Sequence, residues 1–530
     1  MMRRLAITLI ASCLAATACV TNPATGRREM IFMTTRDEAE IGRAEAARVA
    51  SEMGLVSDPG LTTYVASVGA RVAREAPRKD VTWQFQIVDM PEPNAFALPG
   101  GYVYVSRGLL AITNSEDELA NVIGHEVAHV AARHAASRQA KTVPVGILTA
   151  LGSFAAGLIG GGQAAQIVGD LGQTAGAGLI ASYSREQEHE ADRLGQDYAA
   201  RAGADPAAMS DFLRTLERAT ALERGEHRGP GFLDTHPSTP ERVALTENNS
   251  RALGAAASAQ TAKSHDAFLR RLDGLVVGQN AAEGIVDGSR LLHPALGFQI
   301  RFPEGWQIAN ARTAVLGAAP GRDAAVVLEI DAPARTMREA ALRFARANRL
   351  QVAEAGAVQL GNLDGYRILA IVPSQRGAMA ADVTFIAFRD QVYRLTGLAN
   401  SQAYRGWQGA FAAVARSFRE ITPAEAAKVR EQRLRIVGAK RGETLDQLVA
   451  RTRSSWKAEE VAVANALARN VRLSEGQLVK VAISEPWRGS TLGRTSEEDP
   501  RPPPARTPRS GGSPRAKPGA RDANPEMEPL

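Results

Sequence analysis

Val122-Ile123-Gly124-His125-Glu126-Val127-Ala128-His129-Val130 and, farther along, Ser184-Arg185-Glu186-Gln187-Glu188-His189-Glu190-Ala191-Asp192 decide the reading of this chain. The first stretch carries the pattern H-E-x-x-H. Ser115-Glu116-Asp117-Glu118 reads as the cap of a helix running to about Gln139, which puts both histidines inside it. At 3.6 residues per turn, residues four apart stand one above the other, so both imidazoles can reach one metal ion at about 2.0–2.1 Å. Glu126 lies beside them, placed to hydrogen-bond a water on that ion rather than to bind the ion itself. The alternative is a polar stripe on a surface helix. Val122, Ile123, Val127 and Val130 argue for burial instead, and with only eight histidines in the chain a chance pair at this spacing is improbable.

Two histidines do not complete a catalytic zinc site, which takes three protein ligands and keeps one open position. No third histidine follows at a metal-ligand spacing, so a carboxylate from a later helix is the natural candidate. Ser184-Arg185-Glu186-Gln187 caps such a helix, and Glu188 and Asp192 share one of its faces. Glu188 reads as the third ligand. Asp192, one turn on, reads as the acceptor of a hydrogen bond from a ligand histidine. Glu186 and Glu190 read as solvated. His189, about 100° around the helix from Glu188, reads as a surface histidine.

The 530 residues are 45% hydrophobic and 23% charged, which excludes wholesale disorder and suggests about three domains at roughly 150 residues each. Two cysteines exclude a disulfide scaffold and any cysteine-rich metal site. A net charge of +6 is too small to argue for nucleic acid. Residues 1–18 combine Arg3 and Arg4 with a short apolar run from Leu5 and small residues before Cys19, the pattern of a secretory signal too short to span a bilayer. Ala16-Thr17-Ala18-Cys19 resembles a bacterial lipobox with Cys19 as the lipidated residue. Cys13, or secretion without lipid, is the alternative. Val20 rather than Asp after Cys19 resembles the signal for the outer membrane.

The patterning predicts an α+β protein: a mainly helical domain with a small β-sheet, then an α+β antiparallel-sheet domain, then a small βααβ unit. The expected boundaries are 19–33 linker, 34–250 helical domain carrying both motifs, 251–285 connecting helix or linker, 286–422 α+β domain, 430–484 βααβ unit and 485–530 disordered tail. In the first domain, Thr35-Arg36-Asp37-Glu38 opens a helix to about Met53, and Asp58-Pro59-Gly60 opens one ending near Pro77. Val81, Trp83, Phe85 and Ile87 alternate as a half-buried strand, Asn94 to Ser106 form a hairpin-like unit, and Asp205-Pro206 starts another helix. Residues 142–169 carry no charge. One span there would put His125 and Glu188 on opposite sides of a membrane, so the stretch reads as a helical hairpin capping the site and able to touch lipid. In the 286–422 domain, strands at 298–303, 325–330, 365–372, 383–388 and 392–395 and helices at 337–348 and 404–417 are expected.

H-E-x-x-H followed by E-x-x-A-D resembles the zinc metallopeptidase family of the CAAX prenyl protease and the bacterial β-barrel-assembly-enhancing protease. The resemblance covers Thr35 to Asn248, including Asn94 to Gly101, His236-Pro237 and Arg242. It implies one Zn²⁺ on His125, His129 and Glu188, with Glu126 as general base. It also implies that Asn94, Ala95, Phe96, Ala97 and Leu98 are the edge strand to which an extended peptide adds. His236, on a Gly/Pro-rich loop, would donate to the tetrahedral intermediate or fill the fourth zinc position, unless it is only a capping histidine. Arg242 can pair with Glu188 or Asp192, or make a plain surface salt bridge. Phe302-Pro303-Glu304-Gly305-Trp306 and Ser417-Phe418-Arg419 are similar to PsbP/Mog1-like domains. Residues 430–484 resemble a LysM module, which binds N-acetylglucosamine polymers or serves only in packing. The function expected from the resemblance is a zinc endopeptidase anchored in the bacterial outer membrane, facing the periplasm and degrading unfolded or misassembled envelope proteins. A chaperone for outer-membrane protein assembly and a peptidoglycan-binding adaptor are the alternatives.

Overall fold

A computed structural model describes residues 19–30, 33–139, 183–222, 232–236, 240–254, 260–262, 264–374 and 377–489. The expected signal at 1–18, the uncharged stretch 142–169 and most of the expected tail lie outside the described residues. Chain entry is a short hairpin of β1 (Cys19–Thr21) and β2 (Arg28–Met30). Residues 19–33, expected as a linker, are thus structured in part: Asn22 is fully buried and donates to the Ala132 carbonyl at 2.7 Å. Helix α1 (Thr35–Glu52) is capped by Thr34, one residue before the expected position, because the Thr34 hydroxyl and the Asp37 carboxylate satisfy each other's backbone amides. Helix α2 (Pro59–Ala73) starts as expected, with Asp58 accepting from the Leu61 amide.

A three-stranded sheet follows, with β3 (Gln84–Val88), β4 (Ala95–Leu98) and β5 (Tyr102–Ser106) in the order β3-β5-β4. Strand β3 runs parallel and β4 antiparallel to β5. Helix α3 (Arg107–Ile112) leads to α4 (Glu116–Ala131) and α5 (His134–Gln139). The single helix expected to reach Gln139 is therefore two. Arg133 breaks it with a φ of 55°, and the Arg133 guanidinium is held in place by Glu38 at 2.8 Å. Helix α6 (Arg185–Arg201) is capped by Ser184 and Gln187 as expected. Helix α7 (Ala208–Leu222) begins later than the Asp205-Pro206 signal, because the Asp205 side chain caps only a turn, through the Ala207 amide. Helices α8 (Phe232–Thr235) and α9 (Pro240–Leu253) complete this region.

Helices α4 and α6 cross where two glycines meet. A Cβ on Gly124 would lie 2.5 Å from the Gly195 carbonyl oxygen, and one on Gly195 would lie 2.5 Å from the His125 amide nitrogen. The core around this crossing is made by Val65, Val68, Leu119, Ile123, Val127, Leu194 and Phe212, all buried.

The stretch 251–285 is not a free linker. It carries α10 (His265–Arg271) and β6 (Val276–Val277), and Phe268, Leu269 and Leu272 enter the same core as α2, α4, α6 and α7. The β-rich region that follows has two sheets rather than one. β7 (Ile285–Asp287), β8 (Arg290–His293) and β9 (Phe298–Arg301) join β17 (Arg419–Glu420) in the order β17-β9-β8-β7. The larger, seven-stranded antiparallel sheet contains β10 (Gln307–Asn310), β11 (Ala314–Ala318), β12 (Ala324–Asp331), β13 (Gln351–Leu360), β14 (Leu363–Ser374), β15 (Gly377–Phe388) and β16 (Gln391–Asn400). Its order is β10-β11-β12-β16-β15-β14-β13. Helices α11 (Met337–Ala347) and α12 (Tyr404–Ser417) pack against it close to where they were expected.

After the short α13 (Pro423–Ala426) come β18 (Arg430–Gly438), α14 (Leu445–Thr452), α15 (Ala458–Ala464) and β19 (Leu478–Pro486), the expected βααβ order. Strand β18 pairs with β19 on one side and with β6 on the other. Leu434, Val463 and Ala482 thereby join the core of the N-terminal helical region. Fully buried Lys480 donates its Nζ to the Thr113 carbonyl at 2.8 Å, just before α4. Burial lowers the Lys480 amine and raises the nearby Glu118 carboxyl, each partly offset by the other's charge.

Gly195→Ala should force α4 and α6 apart. A loss of roughly 1–3 kcal/mol in urea unfolding is expected, accompanied by weaker metal binding; an unchanged transition midpoint would remove the crossing as a packing constraint.

Candidate metal centre

His125 and His129 project from one face of α4, and Glu188 reaches them from the first turn of α6. All three side chains are buried, as is His236 just after α8. The Nε2 atoms of His125 and His129 are 3.0 Å apart. His236 Nδ1 lies 3.2 Å from His125 Nε2 and 2.9 Å from Glu188 Oε1. The Glu188 carboxylate lies 3.5 Å from each of the other two histidine nitrogens. Four potential ligand atoms thus fall within 4.8 Å of one another. Ligands at about 2.0–2.1 Å around a tetrahedral zinc ion stand roughly 3.3 Å apart, so this donor set fits the ion in both type and spacing.

The charge balance fits as well. Glu126, Glu188 and Asp192 are three buried carboxylates, faced at close range by one guanidinium, that of Arg242. Burial lowers His125, but Asp192 and Glu188 outweigh it and raise its imidazole to about 9, so without a metal the histidines share in balancing these carboxylates. Burial works against the ionised form of Glu188, but His236 and His125 outweigh it and hold the carboxyl well below its usual range. Burial is the main cause that lowers His129, with His125 adding to it, so its imidazole is kept neutral as a ligand requires. Burial raises Glu126 above an ordinary carboxylate, against the pull of His236 and His125.

The ligands are oriented from behind. His125 Nδ1 lies 2.8 Å from Asp192 Oδ1, and Arg242 grips Asp192 with Nε and Nη2, each at 2.8 Å. Arg242 Nη1 reaches Glu188 Oε2 at 2.9 Å and the His236 carbonyl at 3.2 Å. Between the alternatives for Arg242, the structure therefore has the buried pairing, with both carboxylates at once. His236 follows α8 directly, its backbone amide closing the helix onto the Phe232 carbonyl at 2.7 Å, while its ring stacks on Phe232 at 4.5 Å and turns into the donor cluster. Both Glu126 oxygens are buried with no hydrogen-bond partner among the described residues, and His236 Nε2 is 3.6 Å from Oε1.

Asn94 and the β4 residues Ala95, Phe96, Ala97 and Leu98 are buried, and β4 is an edge of its sheet among the described residues. Cys19 is the first residue of β1. Three features escaped the sequence reading. Tyr183 stacks on His129 at 3.8 Å, and its place just before the Ser184 cap was the one available hint. Phe232 walls the site beside His236 and His125. Glu190, expected to be solvated, is mostly buried and faces His134 at 3.2 Å and Arg27 at 3.4 Å. Glu186 is exposed as expected, and His189 is not among the converging atoms.

Comparison with known proteins agrees with this geometry. Residues 59–249 match the family model "Peptidase family M48". The mitochondrial metalloendopeptidase OMA1 of Schizosaccharomyces pombe is 34% identical over 228 residues, which is 42% of this chain and 64% of that protein. The beta-barrel assembly-enhancing protease of Escherichia coli is 34% identical over 216 residues, 40% of this chain and 43% of that protein. The chain thus covers less than two thirds of the length of these relatives. A solved structure of cyanobacterial PsbP from Synechocystis sp. PCC 6803 aligns over 27% of this chain and 98% of its own, with 16% identity and a TM-score of 0.23. Residues 59–249 thus resemble Peptidase family M48, and the His125, His129, Glu188 and His236 cluster has the donor set of a zinc site. No helix among the described residues is long and apolar enough to cross a membrane.

Arg242→Met removes the cation that faces two buried carboxylates while keeping most of the side-chain volume. Guanidinium chloride unfolding without metal should show a loss of roughly 3–5 kcal/mol, and a loss below about 1 kcal/mol would mean that Arg242 does not neutralise Asp192 and Glu188.

Proposed function

We propose that this chain is a zinc-dependent endopeptidase of the bacterial cell envelope that degrades unfolded or misassembled envelope proteins. The observation that carries the hydrolytic reading is Glu126: a buried carboxylate with neither oxygen hydrogen-bonded, set beside four converging metal donors. Such a group lacks a structural partner and is free to take a proton from a reacting water. Zinc, when held by His125, His129 and Glu188, supplies Lewis acidity and lowers the pKa of a coordinated water toward about 7.

The chain's own residues account for the rest. Glu126 accepts the proton of the attacking water as the water oxygen bonds to the scissile carbonyl carbon. It then gives that proton to the amine nitrogen as the C–N bond breaks. The raised Glu126 carboxyl suits both halves of this exchange. His236 Nε2 faces the same region and is suited to donate to the oxyanion. Strand β4, with an edge unpaired among the described residues, is the proposed platform on which an extended peptide segment adds as a further strand.

The envelope assignment rests on the signal and lipobox pattern and on a relative named for enhancing β-barrel assembly. With Cys19 as lipidated residue, the anchor would join directly to β1, whose hairpin is fastened to Ala132 beside the metal helix. The enzyme would then work close to the membrane surface rather than at the end of a long tether. The βααβ order of the last unit supports a LysM-like fold, and its core shared with the N-terminal helices favours packing over glycan capture. The 286–422 region is proposed as a PsbP/Mog1-like accessory module. A second reading draws on His236 Nδ1, which already sits among the donors. With that nitrogen in the fourth position the resting site would be shut, and the chain would hold clients more often than it cleaves them.

Glu126→Gln is expected to bind zinc as the wild type does and to lose roughly 10²–10⁴-fold in casein cleavage. Wild-type cleavage by the zinc-loaded variant would eliminate Glu126 as the base. Clients trapped on the same variant and identified by mass spectrometry should be envelope proteins, and a trapped set of other origin would contradict the envelope role.

A further inference from the structure

On an uninterrupted helix His134, five residues after His129, would lie about 140° around the axis from it and could not face it. The helix is interrupted instead. Arg133 takes a left-handed backbone that non-glycine residues rarely adopt, and Glu38 on α1 and Asn22 in the entry hairpin fasten the break, through the Arg133 side chain and the Ala132 carbonyl. The restart of α5 at His134 turns its imidazole back, so that its Nδ1 lies 2.8 Å from Nδ1 of His129. Its other nitrogen, Nε2, lies 3.2 Å from Glu190 Oε2 on α6, and Arg27 follows at 3.4 Å from that carboxylate.

We propose that His134 is a positioning residue for the metal centre, fixing the tautomer and ring direction of His129. This rests on the zinc reading above. A ligand histidine is neutral and offers a lone pair to the metal. His129 points Nε2 into the donor cluster, so its one hydrogen sits on Nδ1 and points at His134. His134 Nδ1 must then accept, which puts its own hydrogen on Nε2, directed at Glu190. Each donor in this row meets one acceptor. The opposite arrangement would put a hydrogen on His129 Nε2, inside the metal site. His125 is oriented differently, by Asp192 directly, so the two histidines are held by separate partners. Tyr183, stacked on His129, fixes the plane in which the ring can turn.

The test uses the full chain and two readouts, zinc affinity by chelator competition and histidine tautomers by ¹⁵N NMR. His134→Ala should weaken zinc binding roughly 10–100-fold. His134→Asn, whose amide oxygen can accept the same hydrogen, should recover most of that loss. In the zinc-loaded wild type, His134 should carry its hydrogen on Nε2 and none on Nδ1. Unchanged zinc affinity in folded His134→Ala, or a hydrogen on His134 Nδ1, overturns the proposal. Should His134→Ala fail to fold, Glu190→Ala serves in its place: weaker zinc binding with a mixed His134 tautomer supports the row, and no change in either overturns it. Failure of the wild type to bind zinc at His125 and His129 would be a different result, refuting the zinc reading itself.

Discussion

The near contact of two helix backbones at Gly124 and Gly195 is the constraint from which the rest of the site follows. With no side chain on either residue, α4 and α6 approach until His125 and His129 on one helix share a space with Glu188 and Asp192 on the other. Metal–ligand lengths tolerate only about 0.2 Å, so a site assembled from two helices needs their separation fixed by packing rather than by the ion. Interiors packed to crystal density transmit such spacing faithfully. The C-terminal unit adds to this: Lys480 is tied to the segment entering α4, and β18 and β19 close the same core.

Burying three carboxylates beside one guanidinium is costly unless a further positive charge is present. An ion bound among these donors would couple folding to metal binding. The design also separates roles by environment. Glu188 and Asp192 are held ionised by cationic neighbours, while Glu126, without a hydrogen-bond partner, is pushed by burial toward its protonated form. Three carboxyl groups drawn from two helices are thus set in environments suited to a ligand, an orienter and a candidate base.

Much of the centre was legible in the sequence, because its signals are local. A helical repeat places His125 over His129 and Glu188 over Asp192, and the cap at Ser184 fixes where the second helix starts. The pairing of Arg242 with a buried carboxylate was readable only as one option, since it depends on where α9 returns. His236 was left among three roles for the same reason, and contact with Phe232 and Glu188 turned it toward the donors. What escaped reading involves breaks and long-range closure. The left-handed Arg133 cannot be read from a helical repeat, and with it were lost His134 and the burial of Glu190. The stretch 251–285 looked like a linker because its composition is small and polar, yet β6 pairs with a strand far along the chain. In the β-rich region, strands were recognised by alternation, but their division between two sheets depends on pairings that alternation does not encode.

The central claim is that one zinc ion is held jointly by the two imidazoles of α4 and the carboxylate of α6. Anomalous diffraction from crystals of the zinc-loaded chain, collected on both sides of the zinc absorption edge, tests it most directly. A single peak in the interior, bonded to His125 Nε2, His129 Nε2 and a Glu188 oxygen, is the result this account predicts. A peak elsewhere on the chain, or one in the site with Glu188 turned away from the ion, would contradict it.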